Sequence, residues 1–344
     1  MSGPADAQIA VEAFRKRLDS LEAFQVNAMV ESYKPVAQAI GSEVDALTSI
    51  AQSRNLKPYQ VQQLARYKSL QAQIIGEING FAQIAGTQIT QGQAAAVALS
   101  EQAAFTTMAA SLPPGVTPDM LARVGLEWNR LPTEAFANFV GIAGDGAPVG
   151  ALLSELGPTT ATAVRSGILE GIGLGYSPRK TARMVQKATG MGLTRAMAIA
   201  RTETNRSHRE ASRLQYANNS AVVKGYKRHS ARDSDVCIAC IALDGKVYEL
   251  KEPMDAHVNC RCAMLPETLT YKDLGLDVPM PPPVESAQDW FQKQPSSVQL
   301  GMMKSTRRYD AWKSGQVGLN DMVQITDDVI WGKSAGVAPL KNIL

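Results

Sequence analysis

The cysteines of this 344-residue chain are confined to one short stretch, and this restricts the fold more than any other feature of the sequence. All four lie between Cys237 and Cys262, and one of the three histidines lies among them. Cysteines placed so closely in the sequence indicate a local structure that uses them, such as a metal site or disulfides. Five candidate metal ligands follow in the pattern Cys-x2-Cys and then His-x2-Cys-x-Cys: Cys237, Cys240, His257, Cys260 and Cys262.

This pattern favours a structural zinc site, because Zn²⁺ takes four thiolate or imidazole ligands in tetrahedral geometry. A Cys-x-x-Cys turn directs both sulfurs to one point, and an extended Cys260 and Cys262 share one face of a strand. Two disulfides or four inert thiols are the alternatives, and the spacing leaves open which candidate lies outside the ligand set. The N-terminus has no basic segment followed by an apolar core, so we expect a reducing cytosol, where stable disulfides are rare.

Composition places the chain among folded proteins. Hydrophobic residues make up 45% and charged residues 19%, which excludes wholesale disorder. No apolar run reaches the roughly 18 residues that a membrane-spanning helix needs, so we expect no membrane contact. Helical periodicity dominates from the N-terminus onward, and it predicts a mainly α protein of the α+β class.

Breaks in the pattern divide the chain into four segments. Residues 1–111 are predicted to form an N-terminal helical bundle or interaction region, and residues 112–149 a connecting region. Residues 150–278 are predicted to form a helical domain with a small β-hairpin module, stapled by the Cys/His cluster, at 222–265. Residues 279–344 are predicted to be a stiff linker, Met280-Pro-Pro-Pro283, and a helical tail.

Local signals predict where helices begin and end. Pro35 and Pro58 are expected at helix boundaries, since proline lacks the N–H of a helix interior. Ser177-Pro178 predicts an N-cap followed by a first helical residue. Gly190-Met-Gly192 is expected to stop that helix, and a second one is predicted over about Leu193–Tyr216.

Strand signals begin after residue 221. Val222–Arg228 and Lys246–Leu250 are predicted strands, and Asp244-Gly245 is a hairpin turn signal between them. Beyond the proline run, Ser286–Lys313 is predicted to be helical, with Trp290, Phe291, Leu300 and Trp312 as buried anchors.

Positive charge is concentrated between Ser177 and Asp235, a stretch that contains thirteen Lys or Arg residues and only four Asp or Glu residues. On a helix, four arginines of this stretch fall within a narrow arc opposite an apolar face. They are Arg195, Arg206, Arg209 and Arg213. Such a stripe predicts sequence-independent contact with the phosphates of double-stranded DNA. The alternatives are a solvated helix face or a docking surface for an acidic protein.

The order of several short motifs resembles a known family. The motifs are Ala200-Arg-Thr-Glu-Thr-Asn205, Gly225-Tyr226, Asp233-Ser-Asp-Val-Cys237-Ile-Ala-Cys240, Leu243-Asp-Gly245 and His257-Val-Asn-Cys260-Arg-Cys262. Together they resemble the phage Mu protein F-like minor head proteins of tailed bacteriophages, over roughly residues 150–330. Val258 departs from the proline that the family commonly has after the histidine.

The resemblance implies a structural protein of the virion, made in the bacterial host cytoplasm and located at the head or portal vertex. It implies a role in head assembly and in DNA packaging or ejection, without turnover of a substrate. The expected partners are the portal protein, the major capsid protein or both, in a symmetric assembly of several copies, and double-stranded DNA. Within the first motif, Arg201 and Glu203 are expected to form a structural salt bridge.

One enzymatic interpretation competes with this one. His208-x-Glu210 followed by Cys237-x2-Cys240 spells the zinc deaminase pattern, in which the Glu transfers protons to a zinc-activated water. Against it, Val236 replaces the usual proline, and the later His257-x2-Cys260-x-Cys262 motif has no role. The zinc-dependent, nucleic-acid-modifying enzyme is therefore the alternative to a structural head protein.

Overall fold

The computed structural model describes residues 4–275, 277, 284–329 and 332–344. Helices account for 64% of the chain and strands for 9%, which confirms the prediction of a mainly α protein with a small β component. The predicted linker at residues 280–283 lies outside the described residues.

The helices and strands have the following bounds. The helices are α1 (Pro4–Ser53), α2 (Pro58–Gln63), α3 (Ala65–Ser111), α4 (Pro118–Arg123), α5 (Val149–Leu153), α6 (Leu156–Gly173), α7 (Pro178–Asn218), α8 (Ile238–Ala242), α9 (Ala287–Gln292), α10 (Ser296–Met303) and α11 (Thr306–Lys313). The strands are β1 (Val223–His229), β2 (Val247–Tyr248), β3 (Ala263–Thr268), β4 (Val323–Asp328) and β5 (Gly332–Val337). Short 3₁₀ helices cover Thr133–Phe139, Asn320–Met322 and Leu340–Asn342.

The chain divides into two compact units, each assembled from separate segments. The first comprises Met1–Leu21, Gln93–Val140 and Thr204–Leu344, and the second comprises Glu22–Gly92 and Gly141–Glu203. The four segments predicted from the sequence are consecutive stretches of the chain, whereas each compact unit combines stretches that are separate along the chain. The four-segment division therefore stays a prediction.

In the second unit, close helix packing overrides two local helix-breaking signals. Pro35 lies inside α1, between the buried Tyr33 and Val36, so the helix continues through the proline. Gly190 and Gly192 lie inside α7, which runs unbroken where two helices were predicted. A Cβ on Gly192 would lie 3.1 Å from Thr160 Oγ1, so this glycine permits close approach and does not end the helix.

Other predicted boundaries are confirmed. Pro58 is the first residue of α2, and Pro178 is the first residue of α7. Ser177 caps α7, since its Oγ accepts a hydrogen bond from the Lys180 backbone N–H at 3.4 Å. The preceding turn uses Gly175 at φ +67°, a conformation that favours glycine.

The first unit contains a three-stranded antiparallel sheet in the order β2-β1-β3. The two predicted strands are present as β1 and β2 and pair antiparallel, with Tyr226 opposite Tyr248. The connection between them is not the predicted tight hairpin, because α8 lies within it, and Asp244-Gly245 forms the turn that enters β2. The strand β3 was not predicted, because Pro266 interrupts its pattern. Proline is tolerated there since β3 is an edge strand.

The C-terminal part of the first unit is only partly the helical tail that the sequence predicts. Phe291 on α9 is fully buried, and its ring lies 5.1 Å from that of Trp312 on α11, as expected of anchors. The chain then forms an antiparallel β4–β5 hairpin in place of a further helix. The β-branched residues of Val323-Gln-Ile-Thr326 favour this extended conformation.

A glycine-to-alanine pair tests the packing of the second unit. A Cβ on Gly171 of α6 would lie 2.4 Å from Thr181 Oγ1, whereas one on Gly80 of α3 meets nothing within 4 Å. We expect Gly171→Ala to lower the free energy of unfolding by about 1–3 kcal/mol because of overpacking. The control Gly80→Ala should be neutral or stabilise by up to about 1 kcal/mol. Denaturant unfolding measures both, and equal effects would contradict the packing described here.

Candidate metal centre

The first half of the Cys/His cluster is built at the start of α8. Cys237 is the N-cap of this helix, and its Sγ accepts a hydrogen bond from the Cys240 backbone N–H at 3.4 Å. The same N–H donates to the Cys237 carbonyl at 3.0 Å. This tight turn places the two sulfurs on one side of the chain.

The second half is a turn of the same span. The Cys260 backbone N–H donates to the His257 carbonyl at 3.0 Å, which closes the turn around Asn259. Asn259 has φ +62°, a left-handed conformation that asparagine tolerates better than most residues. Cys262 follows immediately before β3, and both Cys260 and Cys262 are buried.

These turns bring the five predicted ligands into two groups that share Cys240. One group is Cys237, Cys240 and His257, and the other is Cys240, Cys260 and Cys262; within each, the ligand atoms lie within 4.8 Å of one another. His257 Nε2 lies 3.2 Å from Cys237 Sγ and 3.1 Å from Cys240 Sγ. All four cysteines are free thiols in this structure, and it contains neither of the two disulfides considered as an alternative.

The donor set fits a zinc ion. Tetrahedral zinc, with Zn–S bonds of about 2.3 Å, holds two ligand sulfurs about 3.8 Å apart. Cys240 Sγ and Cys260 Sγ lie 3.9 Å apart. A site built on Cys237, Cys240 and His257 completes four coordination positions with one sulfur of the second group.

The imidazole of His257 is oriented as metal-binding histidines usually are. Its Nδ1 lies 2.7 Å from the Val258 carbonyl, so Nδ1–H donates to that oxygen. The tautomer that makes this bond leaves the lone pair of Nε2 directed at the sulfurs. Metal-ligating histidines normally donate their other N–H in this way, to a backbone carbonyl or a carboxylate.

The electrostatics favour thiolate at Cys237, whereas the hydrogen bonds with Cys237 and Cys260 raise the pKa of the Cys240 thiol well above its usual value. The hydrogen bond from Cys240, followed by that from His257, lowers the pKa of the Cys237 thiol to about 4. Burial lowers the pKa of His257, but the hydrogen bond to Cys237 and the charges of Cys260 and Cys237 outweigh it and raise the pKa to about 9. Without metal, the two groups thus form a charged pair, and a metal ion replaces the imidazole proton.

A cationic residue that the sequence analysis did not single out completes the site. The side chain of Arg228 on β1 is fully buried, and its Nη2 lies 3.3 Å from Cys240 Sγ and 3.5 Å from Cys260 Sγ. The sequence carried a signal for it, because Arg228 follows the buried Tyr226 by two residues and therefore shares its face of the strand. In the sequence it was counted only as part of the positive charge.

The predicted arginine stripe is not a uniform exposed surface. Arg195 is exposed, and Arg206 is partly buried. Arg209 is only 6% exposed and donates to the Cys260 carbonyl at 3.0 Å. Arg213 is bound to Glu210 at 2.7 Å and to the Leu250 carbonyl at 2.9 Å. Arg209 and Arg213 were therefore wrongly placed on a free face, because the sheet module packs against that side of α7.

Glu203 and Arg201 were expected to form a structural salt bridge. Glu203 is completely buried, and its Oε1 accepts a hydrogen bond from the Gly144 backbone N–H at 3.4 Å. Arg201 is partly buried. A structural role for Glu203 agrees with this burial, and the salt bridge itself stays a prediction.

The deaminase interpretation fails on geometry. His208 belongs to neither ligand group, so it does not complete a site with Cys237 and Cys240. Its Nε2 is buried, and burial followed by the charge of Arg209 lowers its pKa to about 4. Glu210, the expected proton carrier, is bound to Arg213 at 2.7 Å. The sequence pattern matches because both motifs occur in the chain. In the fold, however, Cys237 and Cys240 lie with His257 and not with His208.

These observations define a small sheet module that carries a buried Cys/His cluster able to hold a metal ion and that follows a long basic helix. Residues 162–265 match the family model described as Phage Mu protein F like protein, which confirms the resemblance over α7 and the whole Cys/His module. The match indicates a phage head morphogenesis or structural protein. A search of curated proteins and a search of solved structures each found no match.

Across residues 4–275, 277, 284–329 and 332–344, no helix combines the length and the hydropathy that crossing a bilayer requires.

Replacing Cys240 tests the centre, because this residue belongs to both ligand groups. We expect Cys240→Ser to lower zinc affinity by more than about 100-fold, beyond the loss typical of residues that only support ligands. The melting temperature should fall with it, since metal binding contributes to folding. Zinc content by mass spectrometry and thermal unfolding measure the two effects. His208→Gln is the control and should keep its zinc; loss of zinc from this control would restore the deaminase interpretation.

Proposed function

We propose that this protein is a structural component of a tailed-bacteriophage head, associated with the portal vertex or the head interior. The observation that carries the proposal is the family match over residues 162–265, which includes every residue of the Cys/His cluster. In this proposal the protein acts in head assembly and in DNA packaging or ejection. Several copies take part in a symmetric assembly with the portal protein, the major capsid protein or both.

The proposed cofactor is a structural zinc ion. Its ligands would come from two turns of equal span and, with four protein donors, leave no coordination position for a substrate or a reactive water. The ion would join α8 to the segment that leads into β3, and so hold the ends of the small sheet module together. One strand of the sheet, β2, has two residues and a ladder of two paired positions with β1, so a link of this kind would reinforce a short connection.

Incorporation into the particle is the direct test. The protein should be detected by mass spectrometry in purified, DNA-filled virions after density-gradient separation. It should stay with particles washed in high salt, because a structural subunit is held by more than surface charge. Scaffold-containing proheads and emptied particles show at which stage the protein enters and leaves. Its absence from all three kinds of particle would contradict the proposal.

For the DNA contact, exposure favours a set of basic residues that keeps Arg195 from the predicted arginine stripe and otherwise lies earlier on α7. The N-terminal half of α7 lies in the second unit, and no acidic residue occurs between Glu170 and Glu203. Five basic side chains of this half are exposed, and we call them the basic face: Arg179, Lys180, Arg183, Lys187 and Arg195.

Positive charge on the basic face is not neutralised locally. Within the described part of the chain, none of its five residues forms an ion pair, whereas Arg213, farther along α7, is bound to Glu210. Arg179, Arg183 and Lys187 are spaced four residues apart and so follow one side of the helix. We propose that this face contacts the phosphates of double-stranded DNA without reading bases, in a salt-dependent way.

Charge reversal tests the basic face. We expect Arg183→Glu with Lys187→Glu to weaken binding to duplex DNA and to reduce the slope of log K against log salt by about 2, as two phosphate contacts are lost. The control Lys251→Glu with Lys293→Glu makes the same change in net charge at exposed lysines that already have acidic partners. Fluorescence anisotropy over a salt series measures both. Equal losses in the two variants would mean that net charge alone acts, and would contradict a specific face.

A further inference from the structure

Arg228 occupies an unusual place for a charged residue. Its side chain has no solvent exposure, and Nη1 donates to the Asp255 carbonyl at 2.9 Å. Nη2 points to two sulfurs, Cys240 Sγ at 3.3 Å and Cys260 Sγ at 3.5 Å. A buried charge is costly unless compensating charge and hydrogen bonds lie close to it.

The nearest carboxylate does not fully compensate Arg228. Asp255 Oδ1 lies 3.5 Å from Arg228 Nη1, but Asp255 Oδ2 lies 2.7 Å from Lys246 Nζ. One carboxylate thus faces two cations, and the Tyr248 hydroxyl also bonds to it. The remaining acceptors of the guanidinium are cysteine sulfurs, and the two N–H···S contacts of Nη2 are made to Cys240 and Cys260.

The two turns of the cluster point to the same sulfurs. Cys237-x2-Cys240 and His257-x2-Cys260 are each closed by a backbone hydrogen bond of 3.0 Å from the fourth residue to the first. Each turn therefore brings its first and fourth residues, the two candidate ligands, close together, although the first turn is helical and the second contains left-handed Asn259. Cys262 lies beyond the second turn, where β3 begins, and it has no counterpart in the first turn.

We propose that Arg228 is a positioning residue of the metal centre and that it selects the fourth ligand. Its Nη2 donates N–H···S hydrogen bonds to Cys240 and Cys260, so the ligand set is Cys237, Cys240, His257 and Cys260. Cys262 stays a buried thiol outside the coordination shell. This inference rests on the proposed zinc centre, and it adds which donors bind and which residue places them.

The ligand set is tested with Co²⁺ bound to the full-length protein in place of zinc. Cys262→Ser should keep the thiolate-to-cobalt absorption of the wild-type protein, whereas Cys260→Ser should lose the contribution of one thiolate. The two variants are matched in chemistry and in burial. The reverse pattern, or equal losses in both variants, would overturn the assignment.

The role of Arg228 is tested by Arg228→Met and Arg228→Lys. We expect Arg228→Met to lower zinc affinity by about 10–100-fold in chelator competition, the range typical of residues that support metal ligands. Its cobalt charge-transfer band should move to lower energy, because sulfurs without N–H donors are more easily oxidised. Arg228→Lys keeps the charge and an N–H donor, so it should restore part of both effects.

The outcomes separate the inference from the proposed function. If the wild-type protein binds neither zinc nor Co²⁺, the zinc centre itself is wrong. If it binds and Arg228→Met has wild-type affinity and an unshifted band, only the role of Arg228 is wrong. Should Arg228→Met fail to fold, Arg228→Lys decides by its band position, and a band identical to that of the wild-type protein with unchanged affinity would overturn the role.

Discussion

Arg228 lies away from water with its guanidinium against two cysteine sulfurs, and the sheet module depends on this contact. A guanidinium is charged at every physiological pH, so burying it requires negative partners at short distance. Cys240 and Cys260 supply sulfur acceptors at 3.3 and 3.5 Å, from two turns that are separate along the chain but adjacent in the fold. The same contact ties β1 to both halves of the Cys/His cluster, which makes the centre part of the core of the module.

The proposed centre has the features of a structural metal site. Its donors come from short turns closed by backbone hydrogen bonds, and the His257 ring is held by the Val258 carbonyl. With four protein ligands, a zinc ion here has no open position for chemistry. This agrees with the family match over residues 162–265, which indicates a head morphogenesis or structural protein.

The charges on α7 have two different environments along its length. In the second unit the basic face is exposed and lacks ion-pair partners among the described residues, which suits a polyanion such as DNA. In the first unit Arg209 and Arg213 donate to backbone carbonyls of the sheet module instead. The total positive charge of the helix is therefore a poor guide to what it binds, since burial assigns each arginine its partner.

Features that depend on neighbouring residues could be read directly from the amino-acid sequence. Ser177-Pro178 begins a helix because a hydroxyl caps its first turn, and the spacing of Cys237, Cys240, His257 and Cys260 is that of metal-binding turns. Three other features became visible only in the folded chain: Gly192 packs inside a helix, β3 pairs with β1, and Arg228 lies against the sulfurs. The physical reason is that caps and turns are stabilised within a few residues. Burial and ion pairing depend on segments that meet only when the chain has folded.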